Sequence, residues 1–332
     1  MRATPLVIGG AGFIGSALVR HLAEQGPVRV LDDLSTGHVS NIEGVDGVDF
    51  IEGSLLDDDV LGSVMRGVST VYHLACLGVR HSIHQPRANH QVNALGTLKI
   101  LETGRHLCVD RVVYCSTSEV YGTAERVPMD ESHPTWPHTV YGGSKLAGEA
   151  YTRAYHVTYG MPTVVLRPFN AFGPRSHHEG DSGEVIPKFV VRAKNGLSPI
   201  IFGDGSQTRD FTYVEDTARA IAAAGTSDEA VGETINVGSG NELTVLELAK
   251  VVTDVVGRPD LQPRFHPSRP GDVLRLYADS SRASKYLDWT PQVTLEEGLR
   301  KLLAWHDEQG TDWKRALTED VTHNWEPVEE AS

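Results

Sequence analysis

Long apolar runs are missing from this sequence. No apolar run approaches the roughly 20 residues that a membrane-spanning helix needs. The N-terminal segment "MRATPLVIGG" enters a glycine turn instead of forming the apolar core and cleavage site of a signal peptide. We therefore expect a cytoplasmic protein with no membrane partner.

Cysteine and positive charge are also scarce. The three cysteines, Cys76, Cys108 and Cys115, show neither paired nor metal-like spacing, so we expect reduced thiols. Lys and Arg total 30 against 44 Asp and Glu, which gives a net charge of -14 at pH 7. Because nucleic-acid binding needs a cationic surface, we exclude a nucleic-acid partner. A small anionic ligand needs only a few local arginines and is compatible with this charge.

Short apolar runs alternate with helix-period segments through the first half of the chain. Runs such as "PLVIGG", "PVRVLDD" and "RVVYC" are separated by segments such as "SALVRHLAEQG" and "NALGTLKILETGR". Continuous β-branched strands separated by helices are typical of a parallel sheet that is covered on both faces. The pattern predicts an α/β fold, a Rossmann-like doubly wound parallel sheet with a smaller C-terminal α/β substrate-binding lobe.

The length of 332 residues suggests two lobes. After "RPFNAFGPR" the alternation of strands and helices gives way to a Gly- and His-rich loop and shorter mixed elements. We therefore predict one domain over 1–172, a second lobe over 173–320 and a loose tail over 321–332. The later segment "ETINVGSG" with "LTVLELAKVVTDVVG" again has a strand followed by a helix, and Thr244 and Glu247 are spaced as a capping box. We therefore expect the chain to return to the first domain near 210–250.

A glycine-rich turn lies between the first strand and the first helix. The glycines of "VIGGAGFIG" are Gly9, Gly10, Gly12 and Gly15. In this context backbone amides approach a pyrophosphate at a helix N-terminus. Asp32 ends the next strand, where a carboxylate binds the ribose hydroxyls of NAD and repels the 2′-phosphate of NADP. The pattern predicts NAD, bound through Gly9, Gly12, Gly15 and Asp32. Asp57, after the third strand, is a candidate for contact with the adenine or a plain turn aspartate.

Tyr141 and Lys145 lie four residues apart on a predicted helix, so both side chains project from one face. An ammonium group and a nicotinamide cation would favour the phenolate, which could act as a general base. The strand "RVVYC" ends in "STSEVYG" at the sheet edge where ligands bind. Thr117 there could share a hydrogen bond with a substrate hydroxyl while Tyr141 takes its proton and the cofactor takes the hydride.

Seven motifs in order resemble those of one family. They are "GGAGFIG", "YHLA", "STSEVYG", "YGGSK", "RPFNAFGPR", "GDGSQTRDFTYVEDTARA" and "RPGDV". The chain resembles an extended short-chain dehydrogenase/reductase of the nucleotide-sugar, NAD-dependent epimerase/dehydratase family, and within it the UDP-sugar 4-epimerases. The resemblance runs from "GGAGFIG" to "LDWTPQVTLEEGL". Ile8 departs from it, since many relatives carry a small hydroxyl residue there, but this has little bearing on the cofactor.

The resemblance implies roles for individual residues. Thr117, Tyr141 and Lys145 match the catalytic trio, residues 1–172 the NAD-binding domain, and residues 173–320 the lobe that binds the nucleotide sugar. Further cofactor contacts implied are Phe13, Ile14, Leu74 and Ala75. Implied substrate contacts are Ser118, the diphosphate-binding Asn170, Arg209 and Arg269, and Val185 to Lys188 near the nucleotide base. Arg209 is independently suited to pyrophosphate as a bidentate donor, although a structural ion pair is the alternative for any single arginine.

Glu119 decides between reactions within the family. All members oxidise a sugar hydroxyl, usually at C4, to a ketone, and return of the hydride gives a C4 epimer. If a carboxylate removes the C5 proton, water leaves from C6 or a C6 carboxylate is lost as carbon dioxide. The triplet Thr117, Ser118 and Glu119 resembles that of GDP-mannose 4,6-dehydratases and UDP-glucuronate decarboxylases, whereas "LGVRHSIHQP" resembles the epimerase branch. We predict a 4-epimerase, with C5 chemistry as the alternative and a structural Glu119 left open.

Several further expectations complete the prediction. His177, His178, Glu179 and Asp181 have no recognised ligand spacing, so we expect no metal. The histidines His73, His81 and His84 either line the sugar pocket or serve packing and solvation. A protein that retains NAD without turnover is the alternative to an enzyme, and the intact trio argues against it. We expect a homodimer through the Tyr/Lys helix and "LKILETG", which would form a four-helix bundle as in relatives.

Overall fold

A computed structural model describes residues 4–269 and 271–325 of the chain. Its strands are β1 (Thr4–Ile8), β2 (Val28–Asp32), β3 (Val48–Glu52), β4 (Val68–His73), β5 (Arg111–Cys115), β6 (Thr163–Pro168), β7 (Asn170–Phe172), β8 (Ile200–Phe202), β9 (Thr208–Tyr213), β10 (Thr234–Val237), β11 (Glu242–Thr244) and β12 (Arg264–His266). Its α-helices are α1 (Phe13–Ala23), α2 (Asp58–Val64), α3 (Val79–His84), α4 (Pro86–His90), α5 (Gly96–His106), α6 (Val140–Tyr159), α7 (Val185–Lys194), α8 (Val214–Ala224), α9 (Val245–Val256), α10 (Ser281–Leu287), α11 (Leu295–Glu308) and α12 (Trp313–Glu319). No helix within these ranges has the length and apolar character to cross a membrane.

The central sheet has seven strands in the order β10-β6-β5-β4-β1-β2-β3, and every neighbouring pair is parallel. Alternate residues of β1 belong to different apolar cores. Val7 packs in one core with residues of α1 and α8, whereas Leu6 packs in the other with residues of α2 and α5. Helices therefore cover both faces of the sheet, which confirms the predicted doubly wound α/β class.

A smaller set of elements packs beside this sheet. It contains the three-stranded sheet β11-β9-β7, the β12-β8 pair, and a core that includes Phe189 of α7, Leu248 of α9 and Leu302 of α11. Thr244 and Glu247 form the predicted capping box at the start of α9. The division into two domains stays a prediction, and residues 326–332 of the predicted tail lie outside the described residues.

Chain order creates a crevice at one edge of the central sheet. From β1 the chain proceeds to β2 and β3 on one side, and then crosses over to β4, β5 and β6 on the other. The loops after β1 and β4 therefore diverge at the carboxyl ends of two adjacent strands, the usual ligand position in such sheets.

Candidate active site

A single cavity of about 470 Å³ begins in this crevice and extends into the smaller set of elements. Its volume is in the range of small-molecule sites. The sequence-predicted residues that line it are Gly9, Gly12, Phe13, Ile14, Gly15, Asp32, Leu74, Ala75, Thr117, Ser118, Glu119, Tyr141, Lys145, Asn170, Val185, Lys188, Arg209 and Arg269. The structure thus brings together nearly every predicted site residue, although their roles stay predictions.

The glycines of the first turn are required by close backbone approach. Gly9 has φ +86°, and a Cβ there would lie 2.4 Å from the amide nitrogen of Ala75. A Cβ on Gly15 would lie 1.9 Å from the carbonyl oxygen of Gly9. Gly12 is the residue that precedes α1, and a Cβ there would meet protein only at 3.4 Å. The turn therefore fits a pyrophosphate that needs backbone amides and open space at a helix N-terminus.

Asp32 joins the glycine turn to the end of β2. One carboxylate oxygen accepts a hydrogen bond from the amide of Ala11 at 2.9 Å, and the other accepts one from the amide of Leu34 at 2.9 Å. Burial raises the pKa of Asp32, and these two hydrogen bonds oppose the rise. Each oxygen keeps acceptor capacity for a ligand hydroxyl. These acceptor oxygens fit the ribose hydroxyls of NAD.

Asp57 lies elsewhere. Its carboxylate accepts hydrogen bonds from the amides of Asp59 and Val60, at 3.0 and 3.1 Å, and so caps the N-terminus of α2. The residue is exposed and does not line the cavity. The structure therefore favours the turn aspartate over the adenine contact, because the capping bonds turn the carboxylate towards the helix.

Tyr141 and Lys145 lie in the first turns of α6, which begins after the capping residue Thr139. The Lys145 ammonium donates to the carbonyl of Cys115 at 2.6 Å and lies 4.6 Å from the ring centroid of Tyr114. Burial lowers the pKa of Lys145, but interaction with Tyr114 and the nearby thiols raises it overall. Lys145 is therefore a fixed, protonated group beneath the end of β5.

The chain's own groups shift the pKa of Tyr141 in opposite directions. Burial raises its pKa well above 10, while a hydrogen bond from Thr117 lowers it. The chain's own groups thus hold the phenol in its protonated form.

Glu119 lies in a short 3-10 helix, Ser118–Val120, whose first turn is capped by the Thr117 hydroxyl. Burial raises the pKa of Glu119, and Arg209 is the largest influence that lowers it. The carboxyl group of Glu119 therefore interacts with the charge of Arg209, and it lines the same cavity as Tyr141.

The predicted diphosphate residues converge from separate elements. Arg209 on β9 and Arg269 both bond Asp272, at 2.8 and 3.2 Å. Arg209 also donates to the carbonyl of Val273 at 2.6 Å. The side-chain oxygen of Asn170 on β7 is buried without a hydrogen-bond partner among the described residues. Two oriented guanidinium groups suit a pyrophosphate.

The far end of the cavity contains Val185 and Lys188 of α7. Lys188 forms an ion pair with Asp320 at 3.1 Å, and burial lowers its pKa. The rings of Phe202 and Trp325 meet edge to face there, with centroids 4.8 Å apart. Such aromatic walls suit a flat apolar group.

Sequence reasoning missed several cavity residues. Asp272 belongs to the quoted motif "RPGDV", but its role as the shared partner of two arginines depends on contacts between distant segments. Asp320, Phe202 and Trp325 have no local pattern that marks them. Arg80 lines the cavity at the start of α3, and its signal was a cation just after an apolar strand, in "LGVRHSI".

The histidines have different environments. His81 lines the cavity, whereas His73 is buried and its Nε2 bonds the Thr97 hydroxyl at 3.0 Å. Burial lowers the pKa of His73 well below 6.5. His84 contacts Asp181 at 3.2 Å. His73 thus fits the packing interpretation, and His81 fits the pocket interpretation.

The His-rich loop contributes to a small polar cluster. His38, His177 and Glu179 place ligand-type atoms within 4.8 Å of one another. The Nδ1 of His177 and the Oε1 of Glu179 lie 2.6 Å apart, so these two groups already hydrogen-bond each other. The expectation that the chain binds no metal stays a prediction.

Comparison with known proteins agrees with this geometry. The family described as GDP-mannose 4,6 dehydratase matches residues 6–302. A putative UDP-glucose 4-epimerase of Methanocaldococcus jannaschii is 38% identical, over 90% of this chain and 97% of the relative. The solved epimerase of Methanothermobacter thermautotrophicus has a TM-score of 0.89 at 39% identity, over 95% of this chain and 94% of that one.

A dehydratase is also similar. The dTDP-glucose 4,6-dehydratase of Streptomyces venezuelae, solved with NAD, has a TM-score of 0.88 at 33% identity, over 94% of this chain and 99% of that one. Epimerases and dehydratases therefore share this fold. The chain belongs to the nucleotide-sugar epimerase/dehydratase family of extended short-chain dehydrogenases/reductases.

Proposed function

We propose that the chain is an NAD-dependent nucleotide-sugar 4-epimerase, which oxidises the C4 hydroxyl of the sugar transiently to a ketone. The chain is an enzyme of the epimerase/dehydratase family, and NAD is its cofactor. The assignment to an enzyme of this chemistry rests on Thr117 after β5 with Tyr141 and Lys145 of α6, and the choice of epimerisation rests on the environment of Glu119.

The proposed chemistry divides between the two ends of the cavity. When bound, NAD accepts a hydride from the sugar carbon and returns it to the ketone. Tyr141 takes the proton of the C4 hydroxyl and gives it back, and Thr117 shares a hydrogen bond with the same oxygen. Lys145 stabilises negative charge as it develops on Tyr141. The diphosphate stays bound to Arg209 and Arg269 while the keto sugar rotates. The rotation presents the opposite face of C4 before the hydride returns.

The environment of Glu119 is the observation that favours epimerisation over loss of water from C6. Loss of water from C6 needs a base at C5 and an acid at the departing hydroxyl. The segment "STSEVYG" after β5 supplies one carboxyl group, and its neighbour is Ser118. Burial raises the pKa of that carboxyl group, which lowers the fraction in the carboxylate form that a base at C5 requires. A 4-epimerase needs no base at C5.

A second candidate function keeps Glu119 as the acid and base of a 4,6-dehydratase or a UDP-glucuronate decarboxylase. The observation that favours it is the position of Glu119, which lines the same cavity as Tyr141 and whose charge raises the pKa of Tyr141. Arg209 also lowers the pKa of Glu119, which favours the carboxylate.

Solvent deuterium distinguishes the two candidates. The purified protein with NAD is incubated in deuterated water with UDP-, dTDP-, GDP- and ADP-linked glucose and glucuronate, and products are followed by mass spectrometry and proton NMR. We expect a product of unchanged mass that is inverted at C4 and carries no solvent label. The Tyr141→Phe variant is the matched control and should lose about 100-fold or more of the rate.

Other outcomes are equally clear. Deuterium at C5, with loss of water or carbon dioxide, would contradict the epimerase and assign Glu119 to C5 chemistry. Equal turnover by Tyr141→Phe would contradict the assignment of Tyr141 in either candidate.

A further inference from the structure

The last described residues of the chain, 320–325, form part of the cavity wall, and we call them the C-terminal segment. They follow α12, and four of them line the cavity, namely Asp320, Thr322, Asn324 and Trp325. The sequence predicted a loose tail from residue 321 onwards and no site residue within it. The C-terminal segment is therefore in a position to contact a ligand that fills this end of the cavity.

Buried polar contacts hold the C-terminal segment in place. The side chain of Asp320 is buried, and its carboxylate forms an ion pair with Lys188 of α7 at 3.1 Å. The buried amide of Asn324 donates to two carbonyl oxygens of the loop over 176–184, at 3.1 and 3.3 Å. The C-terminal segment is thus attached to two separate elements, which together constrain the position of Trp325.

The half-buried indole of Trp325 and the ring of Phe202 on β8 form an aromatic corner. The two rings meet at an interplanar angle of 85°, with their centroids 4.8 Å apart. The guanidinium carbon of Arg269 lies 5.9 Å from the centroid of Phe202. Two flat faces at right angles, with a cation beside them, suit a planar aromatic group that is attached to an anion.

A series of close interactions connects this aromatic corner to the proposed catalytic residues. Glu119 influences the pKa of Tyr141, and Arg209 is the charged group with the largest influence on the pKa of Glu119. Arg209 and Arg269 bond one shared carboxylate, and Arg269 adjoins the aromatic corner. In the proposed function the sugar lies at Tyr141 and the diphosphate at the two arginines. The nucleotide base then lies at the aromatic corner.

We propose that Trp325 stacks against the nucleotide base, so that the C-terminal segment completes the substrate site. The indole is only half-buried by protein contacts, which leaves part of its surface for a ligand. Every nucleotide base has a flat aromatic face, so stacking adds affinity without a requirement for one particular base. The inference rests on the proposed function for the positions of the sugar and the diphosphate, but not on the outcome at C4.

Binding of nucleoside diphosphates tests this without turnover. Calorimetry in saturating NAD compares UDP, dTDP, GDP and ADP with inorganic pyrophosphate, which has no base. Trp325→Leu keeps an apolar side chain against Phe202, and we expect it to weaken binding of the recognised nucleoside diphosphate about 10- to 100-fold. Its affinity for pyrophosphate should change by less than about threefold, because pyrophosphate contacts the arginines alone. Trp325→Phe should keep most of the affinity, since a flat aromatic face remains.

An exposed tryptophan provides the matched control. Trp136 is 72% exposed and precedes α6, so Trp136→Leu should leave every affinity unchanged. Tryptophan fluorescence adds a measurement that a purely structural role would not change. The recognised nucleoside diphosphate should quench the emission of the wild type and of Trp136→Leu, whereas Trp325→Leu should lose most of this quenching.

Two results would overturn the role of Trp325 alone. One is an equal affinity of Trp325→Leu and the wild type for the recognised nucleoside diphosphate. The other is an equal weakening of nucleoside diphosphate and pyrophosphate, which would assign Trp325 to scaffolding. Both would leave the deuterium test of epimerisation unaffected. Failure of the wild type to bind any nucleoside diphosphate would contradict the proposed function as well.

Discussion

Burial and the nearby arginines shift the pKa of Glu119 in opposite directions. Its backbone amide is held by Thr117, so its place after β5 is fixed by the same residue that is proposed to contact the substrate. Its carboxyl group is desolvated, which favours the proton, whereas Arg209, Arg269 and Arg80 favour the charge. Binding of a diphosphate to these arginines would weaken their influence and favour the protonated form further.

Replacement of Glu119 by Gln tests this at the scale of one residue. Gln keeps the shape and the hydrogen-bond donor of a protonated carboxyl group, so a 4-epimerase should retain its rate within about tenfold. A dehydratase or decarboxylase should lose about 100-fold or more, because no base or acid remains at C5. The measurement is the rate of product formation for the substrate found in the deuterium screen. A large loss without C5 labelling would show that our account of Glu119 is wrong.

At the scale of elements, α6 is fastened to the sheet by a buried ion pair. Glu149 of α6 accepts from Nε and Nη2 of Arg167 on β6, at 2.9 and 2.6 Å, and from the Ser116 hydroxyl at 2.6 Å. Arg167 also donates to the hydroxyl of Tyr121. This network sets the distance between α6, which carries Tyr141, and the end of β5, which carries Thr117.

Removal of one partner should therefore destabilise the fold. Glu149→Ala leaves the Arg167 guanidinium buried and unpaired, which should lower the free energy of unfolding by about 3–5 kcal/mol. Urea denaturation at neutral pH measures the change. The control is Glu296→Ala on α11, whose pair with Arg300 is exposed and should contribute less than about 1 kcal/mol. Similar losses for both variants would contradict the assigned role of the network.

The loop over 176–184 should have a stability that depends on pH. The hydrogen bond with Glu179 raises the pKa of His177 against the opposing effect of burial, and the pKa of Glu179 falls to about 2 for the same reason. The stabilisation from His177 is complete below 6.5 and is lost as the pH rises through the raised pKa. That from Glu179 is present above 4.5 and is lost as the pH falls towards about 2.

The loop should thus be most protected near pH 5 to 6 and less protected near about pH 8. Hydrogen exchange of the loop amides at the two pH values, extrapolated to one intrinsic rate, measures the change. His177→Gln should remove the difference, whereas His106→Gln, on the exposed surface of α5, should keep it. Equal protection of the wild-type loop at both pH values would contradict the pairing.

At the scale of the whole molecule, we predict a homodimer through α5 and α6. Leu95, just before α5, is 42% exposed, although its neighbours Ala94 and Gly96 are buried. Light scattering at micromolar concentration should give about twice 36.1 kDa. Leu95→Asp should shift the mass towards that of one chain. Leu246→Asp on α9, where Leu246 is 43% exposed, is the matched control and should leave the mass unchanged.

The parts of the molecule that the sequence predicts well are those in which local pattern and function coincide. Gly9 and Gly15 were predictable because the turn leaves no room for a side chain. Tyr141 and Lys145 were predictable because a capped helix fixes their spacing. Asp57 was ambiguous because a carboxylate before a helix can either cap that helix or bind a ligand. In the structure it caps α2, since two amides of that helix donate to it.

Other features depend on distance in the chain and could not be predicted. Asp272 and Asp320 acquire their roles from arginines and a lysine that lie far away in sequence. The Nε atom of Arg80 has no hydrogen-bond partner among the described residues, which is a property of its three-dimensional surroundings that no spacing reveals. The anchoring of Lys145 to Cys115 likewise depends on how α6 packs against β5.

The position of β10 has a consequence for how the chain can be divided. This strand comes from the second half of the sequence, yet it pairs with β6 from Val165 to Pro168 and forms one edge of the central sheet. A fragment that stops at residue 172 would expose the backbone of β6 as a bare apolar edge, which is prone to aggregate. The segments before and after residue 172 therefore depend on each other for solubility. Exchange of substrate specificity between relatives by swapping halves would need its junction placed beyond β10 rather than at the apparent boundary.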